Sequence, residues 1–562
     1  MIDKKYIEKL IIKNASMNAH LVEGNVEIPS DSKMGDFAFP CFKLSKELKK
    51  APNVIASELA TKFKDKAINK VQAQSGYLNF FLDRDKFVES AVNTVSFDNL
   101  KFGAGKTICI DYSSINIAKP FHIGHLSSTV IGGSLYRMFT YLGFKVVGIN
   151  HLGDWGTQFG KLLCAYEMWG DDDDLDKRGI SSLLDLYVRF HAEAEKDKTL
   201  DERARVYFLK LEQGDKEALQ LFDMFKQITL KEVQKTYDKL GVVFDSYNGE
   251  SFYNDKIQPV VDELKQKNLL VQSDGAMVVE VGENRPPLLV LRSDGASLYA
   301  TRDLATAIYR KKTYNFYKNL YVVAYQQNLH FSQVFSTLKL MGRDWVDDCV
   351  HVQFGMVSLK DGGSLSTRKG NVMYLSKVLD EAVQKALHTI EQKNPNLTEK
   401  ETVAQSVGVG AIVFGALSNG RIKDIIFDID KALEFEGETA PYLMYTHARC
   451  CSIIRKADQA GIKKLDIKNF KFKDVDSDTF ELVKLIARFN DTVKLACEKY
   501  EPSILSRLLL DIAQNFNRFY LSNRIVGEQS DLANSRLRII NLTKNALNKG
   551  LELLLLKAPI EM

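Results

Sequence analysis

The sequence predicts an α/β protein whose centre is a doubly wound parallel sheet, with a small α+β domain before it and an all-α helical bundle after it. Three observations carry that reading. Residues 107–112 and 146–150 are strand-like runs, and between them Leu126, Val130, Leu135, Phe139 and Leu142 recur at helical spacing. Two more strand-like runs, 320–324 and 350–354, are separated by helical stretches, as the crossovers of a parallel sheet require. Beyond about Thr402 every segment reads as helix.

In chain order, residues 1–104 combine a helical pattern over 6–14, turn signals at Gly35-Asp36 and a strand-like run over 76–82, which together make the α+β domain. Residues 98–105, with two glycines and little periodicity, form the linker. The central domain spans 105–432 and carries a charged, largely helical insertion over about 162–287. Within it Asp171, Asp172, Asp173 and Asp174 read as a solvated loop without a role, because metal ligands must converge in space rather than follow one another along the chain. The last domain, 433–562, is the bundle: Ser503 behind Pro502 is a candidate N-cap, and Ile504, Leu508, Ile512, Phe516 and Phe519 mark one apolar face.

At 562 residues the chain exceeds what one core usually serves, and 45% hydrophobic with 26% charged residues and only 11 prolines excludes a long disordered tract. No run approaches the roughly 20 apolar residues that span a bilayer, and the opening residues lack the apolar core of a secretion signal. A cytoplasmic protein without a membrane partner is therefore expected. The seven cysteines are scattered with no Cys-x-x-Cys pair, which implies a reducing compartment and neither a disulfide framework nor structural zinc. Net charge is only +4, yet residues 441–562 hold 20 Lys plus Arg against 14 Asp plus Glu, a surplus above that of the whole chain. That region is the expected place for a phosphate backbone.

Chemistry concentrates in residues 111–126, DYSSINIAKPFHIGHL, between the first strand of the sheet and its helix. A doubly wound sheet opens a crevice there, and the helix start offers unpaired N–H groups and a positive dipole end to phosphate. His122 and His125 flank Gly124, so two imidazoles reach phosphate oxygens while the glycine admits a nucleotide close to the backbone. Lys119 adds a fixed positive charge. Alone, such a His-x-Gly-His would read first as an ordinary helix start of no importance.

The segment does not stand alone. His122-Ile123-Gly124-His125 resembles the HIGH signature of class I aminoacyl-tRNA synthetases, and residues 113–120, SSINIAKP, resemble the arginyl-tRNA synthetases in particular. Residues 150–159 (NHLGDWGTQF), 299–303 (YATRD), Gln326-Gln327 and 351–357 (HVQFGMV) resemble further blocks of that family in the same order, down to the closing 557–562 (KAPIEM). The resemblance implies a Rossmann-like catalytic domain that activates L-arginine with ATP and Mg2+. It implies transfer of the arginine to the 3′-terminal adenosine of tRNA(Arg), with release of AMP and pyrophosphate. A cytoplasmic monomer whose first step needs bound tRNA is implied as well.

By the same resemblance Lys119, His122, His125 and Lys369 form the catalytic set, and ATP would be held by His122, Gly124, His125, Met356, Val357, Ser366, Arg368 and Lys369. The loop 364–370, SLSTRKG, departs from the class pattern KMSKS: Thr367 stands where the second lysine would be, and Lys119 is implied to compensate. Arginine would meet Asp111 and Asp303 at its guanidinium with Tyr299 alongside, and Ser114, Asn116, His122 and Gln327 at its other polar groups. A planar guanidinium demands acidic acceptors and tolerates an aromatic face. Tyr299 and Asp303, four residues apart, share one helix face; an ordinary core tyrosine is the plainer reading of Tyr299. Tyr77 and Asn79 match positions that touch the tRNA elbow, though Tyr77 reads equally well as an edge-strand tyrosine. Tyr445, Tyr520, Met562 and Arg524, the last in place of an aromatic, match positions near the anticodon. Two rivals stay open: a nucleotidylyltransferase, which would not need the long basic helical tail, and a non-catalytic tRNA-binding paralogue, which should have lost histidines or acids that this chain keeps. A cysteinyl-tRNA synthetase would require a zinc-binding Cys and His set that the sequence lacks.

Overall fold

The computed structural model describes residues 1–119, 121–283, 285–293, 299–359, 374–462, 471–525 and 530–562. They form two compact units, one of Met1–Phe97, Arg449–Asn490 and Leu510–Leu547, the other of Asp98–Ala448, Asp491–Leu509 and Asn548–Met562.

The first unit is built on an antiparallel sheet of β1 (Phe37–Pro40), β2 (Ile68–Gln74) and β3 (Tyr77–Leu82) in the order β1-β3-β2. Alternation along β3 sends Leu78, Phe80 and Leu82 into the core, where Phe37 and Phe39 of β1 join them. Tyr77, Asn79 and Phe81 take the other face. Helical residues complete this unit. Phe87 meets Phe480 edge-on at 5.4 Å, and Lys484 reaches the carboxylate of Asp36 at 2.9 Å, whose other oxygen accepts from the Leu82 N–H at 2.9 Å.

The second unit contains a parallel sheet of β4 (Thr107–Asp111), β5 (Lys145–Ile149), β9 (Lys318–Tyr321) and β10 (Cys349–His351), in the order β10-β9-β4-β5. The chain steps outward from β4 to β5, then returns to the opposite side of β4 through β9 and β10. The order therefore reverses at β4, and the loops leaving β4 and β9 diverge into the crevice that doubly wound sheets open at such a point. The helix Leu126–Tyr141 after β4 is apolar nearly all round, because it is buried between the sheet and other helices of the same unit. The α/β class with its doubly wound sheet is the one the alternation of strand and helix predicted.

Several elements differ from the sequence reading. The insertion ends not in helix but in an antiparallel sheet of β6 (Val271–Ser273), β7 (Ala276–Val279) and β8 (Leu288–Leu291). Asp274 (φ 48°) and Gly275 (φ 80°) join β6 to β7, and positive φ at both central residues matches the twist of a two-residue hairpin. The stretch read as helix throughout contains β12 (Ile425–Phe427), which pairs in parallel with β11 (Val357–Leu359); a run of three residues is too short to display a period. The acidic run is a helix start rather than a loop. Asp171 caps the helix Asp172–Arg178 by accepting from the N–H groups of Asp173 and Asp174, and the acids that follow suit the positive end of the dipole. Ser503 begins its helix instead of capping it: its hydroxyl donates to Glu501 at 2.8 Å, and Pro502 accepts the first helical bond from the Ser506 N–H.

Candidate active site

The site is assembled at the carboxyl ends of the parallel strands. After β4 the chain turns sharply through Ser113 (φ 69°) and Ser114 (φ 46°), with Ala118 (φ 58°) following, all in the left-handed region that costs a non-glycine residue of order 1–3 kcal/mol. Side chains hold these residues there. Ser128 accepts from the Ser113 N–H at 2.9 Å, the Ser114 hydroxyl donates to Asp111 at 2.8 Å, and Thr229 accepts from the Ala118 N–H at 3.0 Å. The turn is laced to the loop after β5, where the Gly153 N–H donates to Ile115 at 2.8 Å and the Gly153 carbonyl accepts from Ile117 at 3.2 Å. A Cβ at residue 153 would lie 2.3 Å from Oδ1 of Asn116, so a side chain there displaces that amide.

A 3-10 turn, Ile123–His125, then leads into the helix Leu126–Tyr141. Nδ1 of His122 accepts from the Gly124 N–H at 3.1 Å, and Nδ1 of His125 accepts from the His122 N–H at 3.2 Å, a reciprocal cap on the helix start. A ring nitrogen that accepts carries no proton, so each neutral imidazole offers Nε2–H. Burial lowers the pKa of both rings, that of His125 to about 3, and His122 and Lys119 push His125 further the same way. At neutral pH the two rings are uncharged donors, and Lys119, whose ammonium lies 5.8 Å from the Tyr187 ring, supplies the permanent charge.

Beside the turn lie four carboxylates. Burial lowers the pKa of His151, and Asp111, Asp303 and Asp154 all act against that lowering, while Asp303 and Asp154 help burial to raise that of Glu250. Asp111, expected at the substrate guanidinium, is instead paired with a resident one. Arg310, fully buried, donates to Asp111 at 2.7 Å, and the other Asp111 oxygen accepts from Ser114. Burial alone would lower the Arg310 pKa; Asp111 reverses that and holds it above its ordinary value. With a resident bond to each oxygen of Asp111, Asp111 and Ser114 brace the turn. Asp154, also fully buried, binds Lys226 at 2.8 Å and accepts from the N–H and hydroxyl of Ser251, both at 2.8 Å. Glu250 meets Arg302 at 3.0 Å, and burial pushes its carboxyl up to about 7 against the pull of that arginine. Asp303 differs: among the described residues its partner is His330, with Nε2 2.6 Å from Oδ2. Three of the four acids hold a permanent cation, and the fourth holds a histidine.

Tyr299 and Asp303 do share a face of the helix Tyr299–Tyr314; Tyr299 is 61% exposed, not a core residue, and its ring centre lies 5.1 Å from that of His330. Gln327 precedes His330 by three residues, at the start of the helix Asn328–Leu340. Met356 and Val357 sit at the start of β11, which packs against the turn Ile123–His125. Ser366, Arg368 and Lys369 lie outside the described residues; on their far side Tyr374 bridges to His122 and the Leu375 N–H donates to Phe121 at 2.9 Å. In the first unit Tyr77 meets Phe42 edge-on at 5.3 Å, while Asn79 is 1% exposed with neither amide atom bonded to the protein. Tyr520 stacks on Phe516 at 6.2 Å with Arg449 5.9 Å from its ring, and Arg524 is exposed. In the second unit Tyr445 is exposed, and the Met562 carbonyl accepts from Asn394 at 3.3 Å. Sequence reasoning missed His330, Glu250, Arg302, Arg310, Asp154 and Lys226. Their one available signal was charge inside apolar helical pattern, as at Arg302 and Arg310.

Residues 88–429 match the model of the class I tRNA synthetase (R) catalytic domain, 443–562 that of the DALR anticodon binding domain, and 4–82 that of the arginyl-tRNA synthetase N-terminal domain. The arginine–tRNA ligase of Clostridium botulinum (strain Alaska E43 / Type E3) is 50% identical over 558 residues, covering 98% of each chain, and that of Halothermothrix orenii is 46% identical over 571 residues, covering both completely. The Thermus thermophilus arginyl-tRNA synthetase structure shares the fold at a TM-score of 0.83 with 24% identity over all of both chains, and the Plasmodium falciparum one at 0.80 with 22% identity over all of this chain and 99% of that one. A histidine-capped helix start, a group of carboxylates beside it and these matches along the whole length agree, and the chain belongs to the arginyl-tRNA synthetase family of class I aminoacyl-tRNA ligases.

Proposed function

We propose that the crevice activates L-arginine with ATP and passes it to the 3′-terminal adenosine of tRNA(Arg). The observation that carries arginine as the substrate is the charge balance: Asp303 has no permanent cation among the described residues, so an arriving guanidinium is best matched there, with Tyr299 alongside. Asn116 and Gln327 are assigned to the other polar groups of the amino acid. An oxygen of the arginine carboxylate attacks the α-phosphorus of ATP, the bond to the β,γ-diphosphate breaks, and pyrophosphate leaves. His122 and His125 donate through Nε2–H to phosphate oxygens, and Lys119 with Lys369 offsets the charge that develops. Gly124, Met356, Val357, Ser366 and Arg368 are assigned to ATP. A ribose hydroxyl of the terminal adenosine then attacks the adenylate carbonyl; the ester forms, AMP leaves and the hydroxyl proton departs with it. No protein nucleophile takes part.

Mg2+ travels with ATP in this reading; among the described residues no three His, Cys, Asp or Glu side chains gather into a site of their own, and no step is assigned to the ion. Tyr77 and Asn79 are assigned to the tRNA elbow, where the Tyr77 ring would be the group that meets an unpaired base, and Tyr445, Tyr520, Arg524 and Met562 to the anticodon. The functional division is 1–104, 105–432 and 433–562, the chain works as a cytoplasmic monomer, and bound tRNA is needed for the first step. No helix of the described residues is long and apolar enough to cross a membrane. The decisive assay is attachment of labelled arginine, lysine and cysteine to total tRNA with ATP and magnesium, beside His125→Ala. Arginine alone should be attached, and the variant should fall by about 100-fold or more; tRNA binding without attachment of any amino acid would leave the non-catalytic paralogue.

A further inference from the structure

Of the four carboxylates around His151 and Glu250, the chain pairs three with permanent cations, Arg310, Lys226 and Arg302. The partner of the fourth follows a different rule. His330 and Asp303 are 2.6 Å apart, within the range of a charge-assisted bond. A carboxylate only accepts, so the proton lies on Nε2 of His330 and Oδ2 of Asp303 is occupied. The imidazole is held in turn, with Tyr299 5.1 Å away on one side and Phe331 5.5 Å away edge-on. The His330 side chain is 12% exposed and that of Asp303 26%, so the acid is the more open of the two to solvent. A carboxylate bonded to nothing rotates broadly about its terminal torsion. A lysine or arginine at residue 330 would stop that rotation but cancel the charge, whereas a histidine stops it without a permanent positive charge.

We infer that His330 is a positioning residue for arginine: by donating to Oδ2 it fixes the Asp303 carboxylate, leaves its charge in place, and holds the unbonded Oδ1 in a set direction for the substrate guanidinium. This inference rests on the assignment of arginine to Asp303 made above. His330 touches no reacting atom, and its contribution falls on the affinity for arginine, not on the chemical step.

The test is steady-state aminoacylation with His330→Ala, His330→Asn, His330→Lys and Asp303→Asn, varying arginine and ATP separately. His330→Ala should raise KM for arginine about 10- to 100-fold, the range of a lost hydrogen bond to a charged group, with kcat at saturating arginine and KM for ATP within about 3-fold of the parent. His330→Asn, which keeps a neutral N–H donor, should restore KM to within about 5-fold, while His330→Lys, which keeps a donor but adds charge, should not. If His330→Ala fails to fold, the Asn and Lys variants decide: equal KM values in those two would overturn the inference. Unchanged or lowered KM in a folded His330→Ala would overturn it too. The two assignments fail separately. An Asp303→Asn enzyme with unaltered arginine KM refutes the placement of substrate at Asp303, whereas a large effect there with a silent His330→Ala refutes only the role of His330.

Discussion

At the scale of single residues, the histidine turn is built on two uncharged rings. Each Nδ1 is spent on a backbone N–H, which fixes the tautomer that presents Nε2–H, and burial removes the charged form. This carries a cost in stability at low pH. His125 has an ordinary value near 6.5 in the unfolded chain and about 3 in the fold, so protons bind the unfolded chain first. The stability it contributes is whole above about 6.5 and drains as pH falls from there towards 3. Between pH 7 and pH 5 that loss comes to roughly 2 kcal/mol. Urea denaturation at the two pH values should therefore show His125→Asn losing less stability than the parent by about that amount, and equal losses would mean that His125 is not buried neutral. The turn was legible in sequence because its residues are contiguous. Arg310 and His330 were not: Arg310 meets Asp111 across 199 positions and His330 meets Asp303 across 27, and nothing local marks either pairing. Asp111 shows the same limit: its acidity is visible in the sequence and its resident partner Arg310 is not.

Among elements, the parallel strands were legible because each is a buried apolar run followed by a helix of clear period, and β6 to β8 were obscured by the charged sequence around them. The Asp274-Gly275 pair is itself a hairpin signal, flanked by Val271-Gln272-Ser273 and Ala276-Met277-Val278, yet only the turn advertises it, since β6 is exposed along its whole length and shows no alternation. The site depends on a less conspicuous pairing, the lacing of residues 115–117 to Gly153. A methyl group at that position displaces the Asn116 amide, a group assigned to the substrate, while residues 115 and 117 stay bonded to the Gly153 backbone. Gly153→Ala should accordingly lower kcat/KM for arginine by about 10-fold or more while destabilising the protein by only about 1–3 kcal/mol. Kinetics and thermal denaturation on the same preparation check this, and an active variant with a lowered melting temperature would show that the lacing serves stability alone.

For the molecule as a whole, the insertion looked like surface in the sequence, yet its longest helix, Lys216–Leu240, is the strut of the crevice. Lys226, Thr229 and Tyr237 project from it at spacings of three and eight, close to whole turns, and each holds a different part of the site. Thr229 fixes Ala118 ahead of the histidine turn. Tyr237 bonds Ser113 at 2.8 Å and Asn150 at 2.9 Å, joining the loops after β4 and β5. Lys226 neutralises Asp154, and Asp154 holds Ser251 beside Glu250 on the acidic side of the pocket. No sequence pattern announces such a strut, because an amphipathic helix shows which face is buried and not what it is buried against. The two ends of the helix should therefore fail differently. Tyr237→Phe removes a hydroxyl common to both loops and should lower kcat/KM for arginine and for ATP together, by about 10-fold. Lys226→Met leaves Asp154 as an unpaired buried charge next to the acids, and should raise KM for arginine while KM for ATP stays within about 3-fold. Identical kinetic profiles for the two variants would mean that the helix supports the unit only in bulk, whereas the separation of arginine from ATP effects would place a distinct function at each end of one helix.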